Sequence, residues 1–130
     1  MTVDKAIPIL VVDDYKTMIR IIKNLLNQLG FKNVDDATNC NMALSKLQEK
    51  NYAIVIADWN MEPMNGLDLF KKTRTDEKFK TTKFILVTSE SKPEEVIAAK
   101  EAGINNFIVK PFNIETLKSN LEKILGVFLN

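Results

Sequence analysis

Four short aliphatic runs, each halted by a polar residue, constrain this chain more than any other feature. Ile9-Leu10-Val11-Val12 stops at Asp13, Ala53-Ile54-Val55-Ile56-Ala57 at Asp58, Phe84-Ile85-Leu86-Val87 at Thr88, and Phe107-Ile108-Val109 at Lys110. All are apolar on both faces of an extended chain, the pattern of strands covered on both sides. Pro8 is tolerated because it sits at the start of the first strand. A weaker strand is expected from Val34 to Ala37. Between the strands, apolar residues recur at helical spacing: Met18, Ile21, Ile22, Leu25 and Leu29 in the first stretch, and Ala43, Leu44 and Leu47 in the second. Leu67, Leu69 and Phe70 begin a third helix after Gly66, and Val96, Ile97 and Ala99 continue a fourth from Pro93 to Gly103. Leu117, Leu121, Ile124, Leu125 and Phe128 mark the fifth, whose last turn Gly126 weakens. Gly30 reads as a left-handed cap, and the second helix opens near Asn39.

Strands separated by helices of this length must pair in parallel through right-handed crossovers. Five such units predict a three-layer, doubly wound α/β fold with helices on both faces of one sheet. At 130 residues and 14.8 kDa the expectation is a single domain over 1–130, with no repeat, linker or second core. Eighteen basic against seventeen acidic residues give a net charge of +1, which draws the chain neither to nucleic acid nor to an anionic membrane. With no histidine and one cysteine, zinc fingers, His-dependent nucleophiles and internal disulfides are excluded. The apolar runs are too short to span a bilayer, and the first residues lack the apolar core of a signal peptide, so a cytoplasmic location is expected.

In such folds ligands bind beyond the carboxyl ends of the strands. The residues there are Asp13, Asp14, Asp58, Thr88 and Lys110. Each has an ordinary reading by itself: Asp14 as a helix cap, Thr88 as a strand terminus, Lys110 as a solvated amine. Together, four strand ends supply a polar set to one edge. Two carboxylates about 4 Å apart repel by roughly 4 kcal/mol at an effective dielectric near 20, so three recruit a cation or raise a pKa. The donor set is all oxygen, which suits Mg²⁺. A carboxylate beside Mg²⁺ can accept a phosphoryl group, with Lys110 and Thr88 holding its oxygens. The chemistry expected is phosphoryl transfer to Asp58.

These motifs, Val11-Val12-Asp13-Asp14, Asp58-Trp59-Asn60-Met61, Thr88-Ser89-Glu90 and Val109-Lys110-Pro111-Phe112, resemble those of response-regulator receiver domains from two-component systems. The resemblance spans essentially the whole chain, and Asp-Trp-Asn-Met makes it most like the CheY-like single-domain chemotaxis regulators, which carry no output domain. It implies a flavodoxin-like (βα)5 fold with strand order 2-1-3-4-5. It implies Asp58 as phosphoacceptor from a histidine kinase, and Mg²⁺ held by Asp13, Asp14, Asp58 and the backbone carbonyl of Asn60. Thr88 and Lys110 would bind the phosphoryl group, Thr88 and Phe107 would act as the switch pair, and the Lys110-Pro111 bond would be cis. The protein would be a signalling switch rather than an enzyme acting on other substrates, monomeric, and possessed of a downstream target such as a flagellar motor component. A phosphatase is a further implied partner. The partner surface would include Val96, Phe107, Lys118 and Lys123.

Three places depart from the family pattern, one of them, Asn39-Cys40-Asn41 in place of a turn that often contains glycine, far from the site. Glu62 occupies the place where the family often has proline, with Pro63 following, which predicts altered loop geometry and extra negative charge beside the phosphoryl position. Phe107 replaces a tyrosine and cannot donate a hydrogen bond. The remaining readings are bland. Trp59 is expected to be a partly exposed reporter, and Asn60 and Glu90 to shape access for the hydrolytic water. Cys40 is expected to be inert, Met61 and Met64 to be adaptable contacts, and the basic stretch from Lys71 to Lys83 to be a solvated face. Other stand-alone receivers, such as a phosphate sink or a phosphorelay intermediate, fit the same residues. A small aspartyl-phosphate phosphohydrolase fits less well: its general acid would stand at Asn60, and no cap domain is present. A flavodoxin-type cofactor module is disfavoured because Asp13-Asp14 would repel a bound phosphate.

Overall fold

The computed structural model describes residues 5–88, 93–104 and 106–126. Five strands alternate with five helices: β1 (Ile9–Val12), α1 (Lys16–Gln28), β2 (Val34–Ala37), α2 (Cys40–Glu49), β3 (Ile54–Asp58), α3 (Gly66–Arg74), β4 (Lys83–Thr88), α4 (Pro93–Ala102), β5 (Phe107–Val109) and α5 (Ile114–Leu125). A single 3₁₀ turn, Glu77–Phe79, leads into β4. The strands form one parallel sheet in the order β2-β1-β3-β4-β5. Both the strand order and the doubly wound class agree with expectation.

The period of two in each strand sorts its aliphatic side chains between two cores. Ile9, Val11, Ile54, Ile56, Ile85, Val87 and Ile108 pack under α1 and α5, against Ile22, Leu26, Leu117 and Leu121. Leu10, Val12, Val55, Ala57, Phe84 and Leu86 face α2, α3 and α4, against Leu47, Leu69, Phe70 and Ala99. This two-sided burial is why the runs read as continuously apolar rather than alternating. The edge strand β2 is different. Its Asp35 and Asp36 are anchored by Tyr52 Oη at 2.6 Å and Lys23 Nζ at 2.8 Å.

Local signals set most helix ends. Asn39 caps α2 by accepting from the Met42 N–H at 2.8 Å, and Asn65 and Asp68 form a reciprocal capping box at the start of α3. Gly30 takes φ +100°, where a side chain would be strained. Three details differ from the sequence reading. Asp14 does not cap α1: Tyr15 occupies the cap position, and its N–H bonds to the Asp13 carboxylate at 2.9 Å. Helix α3 begins at Gly66 rather than after it. Gly126, with φ +70°, ends α5 instead of lying within its last turn, and Phe128 lies outside the described residues.

Cys40 is buried at the start of α2, with its Sγ donating to the Met64 carbonyl at 3.1 Å. Burial, with a smaller contribution from Asp68, pushes its thiol up to about 11. Native protein at pH 8 is therefore expected to resist a colorimetric thiol reagent, and to react fully once unfolded in guanidinium. Rapid reaction of the folded form would contradict the packing.

Candidate functional site

The strand register brings the carboxyl-end residues together. Val12 pairs with Ala57 across β1 and β3, which sets Asp13 beside Asp58. Asp58 pairs with Val87, and Thr88 with Val109, so Thr88 and Lys110 follow along the same edge. Backbone bonds secure the strand exits: Asp13 N to Ala37 O at 3.1 Å, Trp59 N to Val87 O at 2.8 Å and Lys110 N to Thr88 O at 2.7 Å. The Lys110-Pro111 bond is cis, as the resemblance implied, and so is Glu62-Pro63 in the loop that carries the family departure.

One carboxylate oxygen from each of Asp13, Asp14 and Asp58 lies within 4.8 Å of the other two. Asp13 and Asp58 are 1% and 5% exposed, whereas Asp14 stands open at the rim. Lys110 Nζ reaches both buried acids, at 3.3 Å from Asp58 Oδ1 and 3.5 Å from Asp13 Oδ2. Among the described residues, one ammonium thus stands by a group of three carboxylates and pairs with two of them. Burial raises the Asp13 pKa above the usual carboxylate range and the charge of Asp58 adds to this, while the Tyr15 N–H and Lys110 pull it back. The cluster is an oxygen-only set with a surplus of negative charge, which fits a hard divalent cation.

The electrostatics make a stability prediction for metal-free protein. An acid whose pKa is higher folded than unfolded costs stability as pH rises through that window, because the native state then holds the extra proton. Asp13→Asn in EDTA is therefore expected to be more stable than the parent at neutral pH, by about 1–3 kcal/mol. The gain should shrink at low pH, where the parent's Asp13 is itself protonated and uncharged. Thermal melts at pH 7 and pH 3.5 check this, and a variant less stable at pH 7 would contradict it.

Thr88 is buried, and its Oγ1 lies 3.3 Å from Asn60 Oδ1 across the site. Asn60 is exposed, and Glu90 lies outside the described residues. Trp59 differs from expectation. It is only 6% exposed, sits in the core under α2–α4, and stacks on Phe107 with ring centroids 6.2 Å apart and planes inclined 22°. Its burial follows from the chain exit: the loop folds back so that Met61 N and Gly66 N both bond to Trp59 O, at 3.1 and 3.2 Å. Phe107 and Val96 are half-buried, and Lys118 is partly covered on α5. The more exposed apolar side chains nearby are Ile97 and Val109. Lys123 is exposed on α5 and also lines a pocket with Arg74 and Lys83.

Two site residues escaped the sequence reading. Glu95 of α4 helps line a cleft of about 430 Å³ with Asp14, Trp59, Asn60 and Glu62 beside the carboxylates. Nothing in the helical periodicity shows which face of α4 turns toward the sheet edge. Gly66 is the other. A Cβ built there would stand 2.5 Å from the Asp58 carbonyl oxygen and 2.9 Å from Leu86 Cδ2. The Asn65-Gly66 pair signals a helix start, but its close approach to Asp58 is a tertiary fact.

Comparison with known proteins agrees with this arrangement. The family described as "Response regulator receiver domain" matches residues 9–122. Chemotaxis protein CheY-3 of Vibrio cholerae is 46% identical over 121 residues, covering 93% of each chain. Chemotaxis protein CheY of Pseudomonas aeruginosa is 46% identical over 116 residues, 89% of this chain and 94% of that one. The solved structure of Vibrio cholerae chemotaxis protein CheY4 superposes with a TM-score of 0.85 at 31% identity, covering 92% of this chain and 98% of that one. With the match running from β1 to within α5, and the acidic cluster on the sheet edge where β1 and β3 end, the chain belongs to the response regulator receiver domain family, in its CheY-like branch.

Proposed function

We propose that this receiver domain is a phosphorylation-operated switch in chemotaxis, working in the cytoplasm with Asp58 as its phosphoacceptor. The observation that carries this reading is the convergence of Asp58 with Asp13, Asp14 and Lys110 in one buried corner. In the transfer, an Asp58 carboxylate oxygen forms a bond to phosphorus as the phosphorus–nitrogen bond of a kinase phosphohistidine breaks, and the imidazole leaves with that electron pair. Asp13, Asp14, Asp58 and the Asn60 carbonyl would hold Mg²⁺, which would supply positive charge to offset that on the phosphoryl oxygens. Lys110 already sits within 3.5 Å of both buried acids, so it needs little movement to meet the incoming group.

The buried Thr88 hydroxyl is the donor that turns from Asn60 toward the phosphoryl group. That movement frees space beside Phe107, which repacks against Trp59. Packed interiors switch between discrete arrangements, so a small shift at Thr88 becomes a change of surface. The surface in question runs over α4, β5 and α5, with Val96, Phe107, Lys118 and Lys123 as the sequence-based candidates. The similarities to the chemotaxis proteins CheY-3, CheY and CheY4 favour a flagellar motor component as the target, with a histidine kinase upstream and a phosphatase as a further partner. Catalysis is limited to the domain's own phosphorylation and dephosphorylation. Glu62, exposed at the cleft, adds negative charge that slows phosphorylation or speeds its reversal.

Incubation with acetyl phosphate and Mg²⁺ tests the core of this reading. Intact mass spectrometry is expected to find one added phosphoryl group, removed by Asp58→Asn and by EDTA. An unmodified wild-type protein, or modification that persists in Asp58→Asn, would refute it.

A further inference from the structure

At the opposite edge of the sheet, where β4 begins, a concave pocket of about 280 Å³ opens among α3, α5 and the turn after α4. Its cationic lining is Arg74, Lys83 and Lys123, joined by the Asn106 amide and the rings of Phe70 and Phe84. Among the described residues no carboxylate lines it, and none of the three cations forms an ion pair. This accounts for part of the basic stretch from Lys71 to Lys83, which the phosphoacceptor corner does not use.

Arg74 is the fixed element. Its two terminal nitrogens donate to Phe79 O and Thr82 O, each at 2.7 Å, and its guanidinium carbon lies 4.5 Å from the Phe70 ring centroid and 5.5 Å from that of Phe84. Two of its five N–H donors are thereby spent, and three remain. Partial burial lowers its pKa, and no carboxylate pairs with it among the described residues. Helix carbonyl ends offset part of the charge, because Arg74 and Lys123 lie in the last turns of α3 and α5. Lys83 opens a strand and has no such role.

We infer that this pocket binds a small phosphorylated metabolite, with the phosphate monoester seated among Arg74, Lys83 and Lys123. A dianion matches several cations better than a carboxylate does. A half-open pocket of this volume suits a sugar phosphate or a nucleoside monophosphate rather than a length of peptide. Occupancy would bear on the switch, because Asn106 immediately precedes Phe107 and its carbonyl accepts the Leu86 N–H at 3.1 Å.

The test is an amide-shift titration of ¹⁵N-labelled protein in EDTA at low salt, with adenosine monophosphate, ribose 5-phosphate and inorganic phosphate as separate probes. Binding of any one is expected to shift Gly103, Ile104, Asn106 and Lys123, and their relative affinities identify the portion recognised beyond the phosphate. Both lysines are exposed, so Lys83→Gln and Lys123→Gln should fold normally, and each should weaken binding about fivefold, the loss of one charge contact in water. The inference fails if no probe saturates, if the lysine variants bind unchanged, or if the shifts centre on Asp58, Thr88 and Lys110. Because magnesium is absent and the readout lies at the far edge, failure here leaves the phosphoacceptor reading untouched.

Discussion

Gly66→Ala is expected to lower the melting temperature by about 10 °C and to slow Asp58 phosphorylation severely. The added Cβ would stand 2.5 Å from the Asp58 carbonyl oxygen and 2.9 Å from Leu86 Cδ2, the first a backbone atom that cannot rotate away. Relief requires α3 to move off β3 or the strand end to bend. Overpacking of this kind costs about 2–3 kcal/mol, and a chain of this size loses about 4 °C per kcal/mol. Either movement displaces the acceptor carboxylate from Asp13 and Lys110, and reaction rates fall steeply with ångström-scale misplacement. Calorimetry and the acetyl phosphate reaction test the two effects separately. A variant with the parent's melting temperature would mean that α3 does not approach Asp58 this closely.

Lys110→Met is expected to reduce the phosphorylation rate by about 10²-fold, the usual cost of removing a preorganised charge donor from a transition state. The same change takes away the ammonium within 3.5 Å of Asp13 and Asp58 and leaves the two buried acids facing one another. Metal-free Lys110→Met should therefore be less stable than wild type at neutral pH, and should recover as acid protonates the cluster. The double variant Asp13→Asn/Lys110→Met should regain much of that stability. Rates within twofold of wild type would show that Lys110 is not a phosphoryl-binding group.

Much of this architecture is legible in the residues. The two-sided aliphatic runs lie in the sheet because burial on both faces removes the usual alternation, and the polar residue that halts each one stands at the sheet edge. Asn39, Gly30 and Pro93 mark helix boundaries through local chemistry that needs no tertiary context. Strand order is different. The runs alone do not say which strand neighbours which, and the order came from family resemblance. Trp59 reads as partly exposed in the sequence, whereas its burial depends on a loop that folds back over β3 and on Phe107 from a distant strand. Glu95 reaches the cleft through the rotation of α4 about its axis, and Gly66 matters through the approach of two backbones. Both depend on packing between elements, which no periodicity encodes.

The central claim, that the acidic corner holds a cation and presents Asp58 for phosphorylation, is tested most directly by a crystal structure of the protein with Mg²⁺ and beryllofluoride. The account predicts one ion among the oxygens of Asp13, Asp14, Asp58 and the Asn60 carbonyl, and the beryllofluoride group bonded to an Asp58 oxygen. Lys110 Nζ and Thr88 Oγ1 should both turn onto its fluorines. Beryllofluoride bound elsewhere, or an Asp58 still paired with Lys110 and no ion beside it, would contradict the account.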